Sequence, residues 1–185
     1  MTATGKGKTE IRLGGVGGQG IALAGTLLCK AAALFDDKEA VFTQTHGPEA
    51  RGGASRADVI IGESSVAYPF VTRPQVLVVL FQEAYEKFRP QLADGGLLIV
   101  EEELVQLREG EDGAIRLPAV RIAKDLGNKL AANIIMLGYL IHKTGVVSRE
   151  AMEAAIRNTV REQHVGLNLQ ALEIGWTLAS EAQND

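Results

Sequence analysis

The chain has 185 residues, 46% of them hydrophobic, with 23 acidic against 19 basic side chains and one cysteine. A net charge of −4 with no Lys/Arg block longer than two excludes a nucleic-acid binder, whose affinity rests on clustered cations that displace counterions from phosphates. One cysteine allows no internal disulfide, no Cys-x-x-Cys zinc site and no iron–sulfur cluster, which takes about four thiolates.

No apolar run approaches the roughly 18–20 residues that span a bilayer, and Met1 to Lys8 lacks a signal peptide's apolar centre. The expected setting is the cytoplasm, without membrane contact. Residues 1–8 read as a flexible tail, and residues 9–185 as a single domain large enough to bury a core.

Ile11 and Leu13 begin a strand that runs into Gly14-Gly15-Val16-Gly17-Gly18-Gln19-Gly20. Glycines let the backbone turn tightly and approach an anion, and the first N–H groups of the following helix have no intrahelical acceptors. Gly15, Gly17 and Gly20 satisfy the G-x-G-x-x-G fingerprint of dinucleotide-binding folds. A helical pattern then covers Ile21 to Phe35, with Ala22, Gly25 and Ala32 small enough to lie close on a sheet. The second strand, 40–45, ends without the carboxylate that would hold a ribose; Asp36, Asp37 and Glu39 precede it and form its lead-in turn. A nicotinamide or flavin enzyme is therefore a minority reading.

The loop His46 to Gly53 leads to an alternating strand from Ser55 to Ile61, which ends at Gly62. Val76 to Leu80 is continuously apolar, as expected of a central parallel strand. Gln82 to Phe88 reads as a short helix with a Glu83–Lys87 pair, stopped by Pro90, and Asp94-Gly95-Gly96 turns into a buried strand ending at Val100. Glu101-Glu102-Glu103 reads as a solvated turn, and 114–121 as one or two short strands around Pro118. Leu130, Ile134, Leu137 and Ile141 share a helix face, and Ile135, Met136 and Leu140 make that helix apolar nearly all round, so it belongs in the core or under a partner. Ser148 is a predicted N-cap. Met152, Ile156, Thr159 and Val160 form the inward face of its helix, and Val165, Leu169, Leu172 and Trp176 continue at helical spacing. The fold class is α/β: a Rossmann-like, mostly parallel sheet with a helical C-terminal third.

Two constellations could hold an anion. The first is Gly15, Gly17, Gly18, Gln19 and Gly20, where Gln19 would offer its amide to a ligand or cap the helix. The second is Arg51, Gly52 and Gly53, where a guanidinium could pair bidentately with phosphate or carboxylate beside a nest of N–H groups. The alternatives are a ligand-free tight turn for the first and an Arg51–Glu49 or inter-subunit ion pair for the second. Cys29 reads as a small core residue. His46, His142 and His164 form no ligand-spaced pair; Asp58, Glu63 and Glu83 have no identifiable acid–base partner. No catalytic residue and no metal site are assigned.

Gly15-Val-Gly-Gly-Gln-Gly20, Gln44-Thr-His-Gly-Pro-Glu-Ala-Arg-Gly-Gly53, Ser55-Arg-Ala-Asp58, Tyr68-Pro69, Gln82-Glu83-Ala84-Tyr85 and Leu126-Gly127-Asn128 together resemble the gamma subunit of 2-oxoacid:ferredoxin oxidoreductases, most closely the 2-oxoglutarate branch. Thr45-His46 stands where many members carry Ser-Tyr. The resemblance implies the fold of that family's catalytic-domain-like unit. It also implies a complex that oxidises a 2-oxoacid with coenzyme A to acyl-CoA, CO2 and reduced ferredoxin. Thiamine diphosphate, Mg and iron–sulfur clusters are then expected in the alpha and beta partner subunits, with a delta subunit as a further candidate, since this chain has no Gly-Asp-Gly motif and no cysteine set. On this reading the chain completes the assembly, is inactive alone and contacts coenzyme A through the two glycine loops. The competing readings are a stand-alone dinucleotide-binding protein or small dehydrogenase, and a purely structural subunit whose apolar helix is exposed in the monomer.

Overall fold

The computed structural model describes residues 7–45, 53–63 and 68–182. Among these, strands β1 (Lys8–Gly15), β2 (Glu39–Thr45), β3 (Ser55–Gly62), β4 (Val76–Val79), β5 (Leu97–Glu101) and β6 (Ile115–Leu117) form a six-stranded sheet in the order β2-β3-β1-β4-β5-β6. β1, β4, β5 and β6 are parallel, as the apolar run at 76–80 implies, whereas β3 runs antiparallel to both β1 and β2. β1 starts at Lys8, inside the stretch read as a tail; residues 1–6 lie outside the described residues.

Side chains alternate across the sheet into two apolar layers, because successive residues of a strand point to opposite faces. Ile11, Leu13, Val76, Val78 and Ile99 face one layer, which is completed by helices α1 (Ile21–Lys30), α4 (Ala132–Thr144) and α5 (Arg149–Thr159). Leu77, Val79, Leu98 and Val100 face the other, beneath Ala84, Tyr85 and Phe88 of helix α2 (Gln82–Phe88). Small residues set the spacing: a Cβ on Gly25 would meet Phe42 at 2.5 Å and Ala57 at 2.9 Å, so α1 lies directly on β2 and β3.

Helix α3 (Ala119–Asp125) corrects the strand reading of 114–121: β6 ends at Leu117, and Pro118 stands just before the helix, where its missing N–H costs nothing. Leu130 is not part of the long apolar helix; it sits in a tight turn, Lys129–Ala131, and is 60% exposed. From Ala132 to Ile141 every residue of α4 is buried, and the chain itself supplies the cover. Much of it is helix α6 (Glu162–Glu181), which crosses so closely that a Cβ on Gly175 would stand 2.0 Å from the Ile135 carbonyl oxygen. The apolar helix therefore leaves no exposed face, contrary to the purely structural reading. Ser148 caps α5 as expected, its Oγ accepting from Ala151 N at 3.1 Å. Asp36, from the lead-in to β2, accepts both the Ser148 N–H and its hydroxyl at 2.6 Å, which ties the two turns together.

Candidate site at the carboxyl edge of the sheet

α1 leaves β1 over one face and α2 leaves β4 over the other, so the chain switches direction at the carboxyl ends of these two strands, the position where open α/β sheets bind ligands. The reversed β3 brings a second loop to this edge. Gly15 pairs with Ser55 and Thr45 pairs with Arg56, so both ends of the 46–54 connection emerge beside the glycine loop. Of the second constellation, Gly53 is described here and stands half-buried; Arg51 and Gly52 lie outside the described residues, as does His46.

Within the glycine loop each position has its own reason. Gly15 is buried, and a Cβ there would meet Gln19 Oε1 at 2.5 Å and Ile21 at 2.8 Å. Gly20 sits at φ 70 as the N-cap of α1, where a Cβ would lie 2.2 Å from Asn133 Nδ2, which donates to Gly20 O at 2.9 Å. Gly17 and Gly18 are exposed and face open space. Gln19 does what neither sequence reading anticipated. Its Oε1 accepts from Val16 N at 2.9 Å and its Nε2 donates to Leu80 O at 3.0 Å, so the amide closes the loop and fastens it to the end of β4. The first turn of α1 has no side-chain cap and no acidic residue, which leaves it electropositive at the carboxyl edge of the sheet.

Sequence reasoning missed a buried ion pair. Arg12, wholly buried in β1, meets Asp58, opposite it on β3, at 2.7 and 2.9 Å, donates to Val71 O at 2.7 Å, bonds Gln91 and lies over the Phe88 ring. Asp58 also meets Arg56 at 3.4 Å, and Arg56 donates to Thr45 at 3.2 Å, so the pair reaches the stem of the 46–54 loop. The available signal was an arginine between Ile11 and Leu13, since a charge inside an apolar strand demands a partner.

Glu101 is likewise no solvated turn residue. It is buried and accepts from Glu103 N and Leu104 N at 2.8 Å and from Val120 N at 3.1 Å, holding the start of α3. Glu83 accepts from Ala54 N at 3.3 Å, in place of the expected pairing with Lys87. Tyr85 accepts from Arg108 N at 3.0 Å and donates to Glu111; burial, and then that bond, push its phenol pKa up. Cys29 is half-buried against the core, and burial raises its thiol pKa, the opposite of an activated nucleophile. His142 packs edge-on against Trp176 at 4.6 Å, and His164 is exposed on α6. A cleft of about 820 Å³ lies at the opposite, amino edge, lined by residues that include Thr9, Gln75, Arg89, Leu97 and Lys143. No helix of the described residues is long and apolar enough to cross a membrane.

The model of the pyruvate ferredoxin/flavodoxin oxidoreductase family matches residues 10–178. The chain is 44% identical over 180 residues to 2-oxoglutarate synthase subunit KorC of Methanocaldococcus jannaschii, covering 95% of this chain and 96% of that one. It is similar in structure to the gamma subunit of a keto/oxoacid ferredoxin oxidoreductase from Geobacter sulfurreducens, with a TM-score of 0.83 and 40% identity over 94% of this chain and 99% of that one. It is also 33% identical over 178 residues to ketoisovalerate oxidoreductase subunit VorA of Methanothermobacter thermautotrophicus, where 94% of this chain corresponds to 37% of a longer polypeptide.

Proposed function

This chain belongs to the pyruvate ferredoxin/flavodoxin oxidoreductase family, and we propose that within it the chain is the gamma subunit of a cytoplasmic 2-oxoglutarate:ferredoxin oxidoreductase. The supporting observation is the end-to-end likeness to KorC, which leaves neither chain with a large unmatched part. The same likeness displaces the stand-alone dinucleotide-binding protein or small dehydrogenase. The complex cleaves the bond between the carboxylate and the keto carbon, releases CO2, passes two electrons to ferredoxin and joins the acyl group to the thiol of coenzyme A.

The chain does not fit the redox groups of that reaction. A single cysteine cannot ligate a cluster and the sequence has no Gly-Asp-Gly segment for a metal diphosphate, so thiamine diphosphate and the clusters are assigned to the partner subunits. The part of this chain is to complete the assembly and to receive the phosphates of coenzyme A at the carboxyl edge. Gly15, Gly17, Gly18, Gln19 and Gly20 shape a loop over an uncapped helix N-terminus, and Arg51, Gly52 and Gly53 belong to the connection whose stems emerge beside it.

Native mass measurement of the complex purified through this chain gives the partners, and turnover with 2-oxoglutarate, pyruvate, branched-chain and aryl 2-oxoacids gives the substrate. The expected result is preference for 2-oxoglutarate and no turnover by the chain alone; catalysis by the isolated chain, or another preferred oxoacid, overturns the assignment. Removing one charge-assisted phosphate contact costs about 1.5–3 kcal/mol. Arg51→Ala should therefore raise the KM for coenzyme A by roughly 10- to 100-fold in an intact complex. An unchanged KM with full activity rejects the contact, and loss of assembly favours an interface ion pair.

A further inference from the structure

Helix α4 carries one amide in its buried run. Asn133 is 3% exposed among Ala131, Ala132, Ile134 and Ile135, and one end of its side chain serves the glycine loop, Nδ2 donating to Gly20 O at 2.9 Å. Its Oδ1 is enclosed as well, and among the described residues no donor reaches it. A buried acceptor left unbonded costs stability, and a small apolar residue at this position would avoid that cost. Breaks of this kind in an otherwise consistent core fall at sites that serve function.

We propose that Asn133 is a positioning residue, acting through Gly20 to fix the α1 N-terminus in the form that receives the phosphates of coenzyme A. The inference rests on the coenzyme A reading of the loop. Gly20 has φ 70, and glycine backbone is the freest in the chain, so its conformation needs restraint from outside. Its carbonyl accepts from Ala24 N at 3.0 Å, the first bond of α1, and the Asn133 amide is a second donor, brought from 113 residues away on another helix. The Gly20–Ile21 peptide is planar and trans. Fixing its carbonyl inward therefore fixes the Ile21 N–H, one of the helix's unpaired donors, in the opposite direction. Gln19 fastens the loop to the end of β4 and Asn133 fastens it to α4. Donors oriented before the ligand arrives bind it without the cost of ordering them.

The test uses the assembled complex with coenzyme A and with pantetheine, which carries the same thiol and no phosphate. Asn133→Ala should raise the KM for coenzyme A about 3- to 10-fold, the worth of one neutral hydrogen bond, while kcat, the KM for 2-oxoglutarate and the rate with pantetheine keep their native values. A residue that served the core alone would lower the coenzyme A and pantetheine rates together. That result, like an unchanged KM for coenzyme A, overturns the inference. Asn133→Leu fills the space that alanine leaves and carries the same test if the first variant does not assemble; failure of both to assemble assigns Asn133 to folding and overturns the inference too. Gly18→Ala separates the positioning role from the reading beneath it. Gly18 is exposed at φ 89, with nothing within 4 Å of an added Cβ, so the methyl strains the loop alone. If it raises the KM for coenzyme A and Asn133→Ala does not, only the positioning role is lost; if neither does, the loop receives no coenzyme A and both fall.

Discussion

Gly138→Ala probes the closest contact in the helical layer. The new methyl group would stand 2.2 Å from the Leu172 carbonyl oxygen, 3.0 Å from Trp176 N and 3.1 Å from Gly175 Cα. All three are backbone atoms of α6, so no side chain can swing aside. Restoring an ordinary 3.4 Å contact moves the helices apart by about 1.2 Å. That gap loosens the seam where Ile134, Ile135, Ala171, Leu172 and Ala179 are buried, and dispersion falls steeply over such a distance. Overpacking costs typically 1–3 kcal/mol, and an unyielding backbone puts this case at about 3 or above. Alanine's helix preference returns about 1 kcal/mol, for a net loss of about 2 kcal/mol. For a domain of this size that is a fall in Tm of roughly 4–8 °C. Gly166→Ala on the same α6 meets nothing within 4 Å, so only the helix preference remains and Tm should rise by about 2–4 °C. Scanning calorimetry of the two variants beside the native chain checks both values. A Gly138→Ala chain as stable as the native one would refute the reasoning.

Two other perturbations reach the buried polar groups. Arg12→Met leaves Asp58 enclosed with only the longer Arg56 contact and should cost about 3–5 kcal/mol in urea unfolding; adding Asp58→Leu should recover most of that loss, and no recovery would show that the cost lies elsewhere. Burial raises the phenol pKa of Tyr85 above its usual 10, and burial does the same for Tyr139. The native state then keeps protons that the unfolded chain releases, so their stabilisation is complete below about pH 10 and is lost as pH rises through the native values. Thermal midpoints from about pH 9 to 11 should decline, and Tyr85→Phe with Tyr139→Phe should flatten that decline; an equal slope in the variant would reject the cause.

Where a local pattern carried the physics, the sequence was legible. The glycine run after Leu13, the unbroken apolar stretch at 76–80, the helix apolar on every side and the Ser148 cap all appear where periodicity and capping chemistry put them. Direction was harder. Alternation along β3 does not encode which way the strand runs, although the nine residues between Thr45 and Ser55 were a usable sign, since parallel neighbours need a crossover of a dozen or more. Partners distant in sequence stayed hidden for the same reason. Nothing near Asp58 names Arg12, nothing near Gln19 names Leu80, and three consecutive glutamates look solvated until the fold turns the first one inward.

The reversed third strand has one more consequence. Because the chain departs from the sheet at Thr45 and rejoins it at Ser55 on the same rim, both roots of this connection are fixed by neighbouring staves. A connection rooted in this way can change in length or charge while the strands hold its two roots in place. Selection acting on what this rim touches can thus proceed residue by residue, while the packed interior stays as it was.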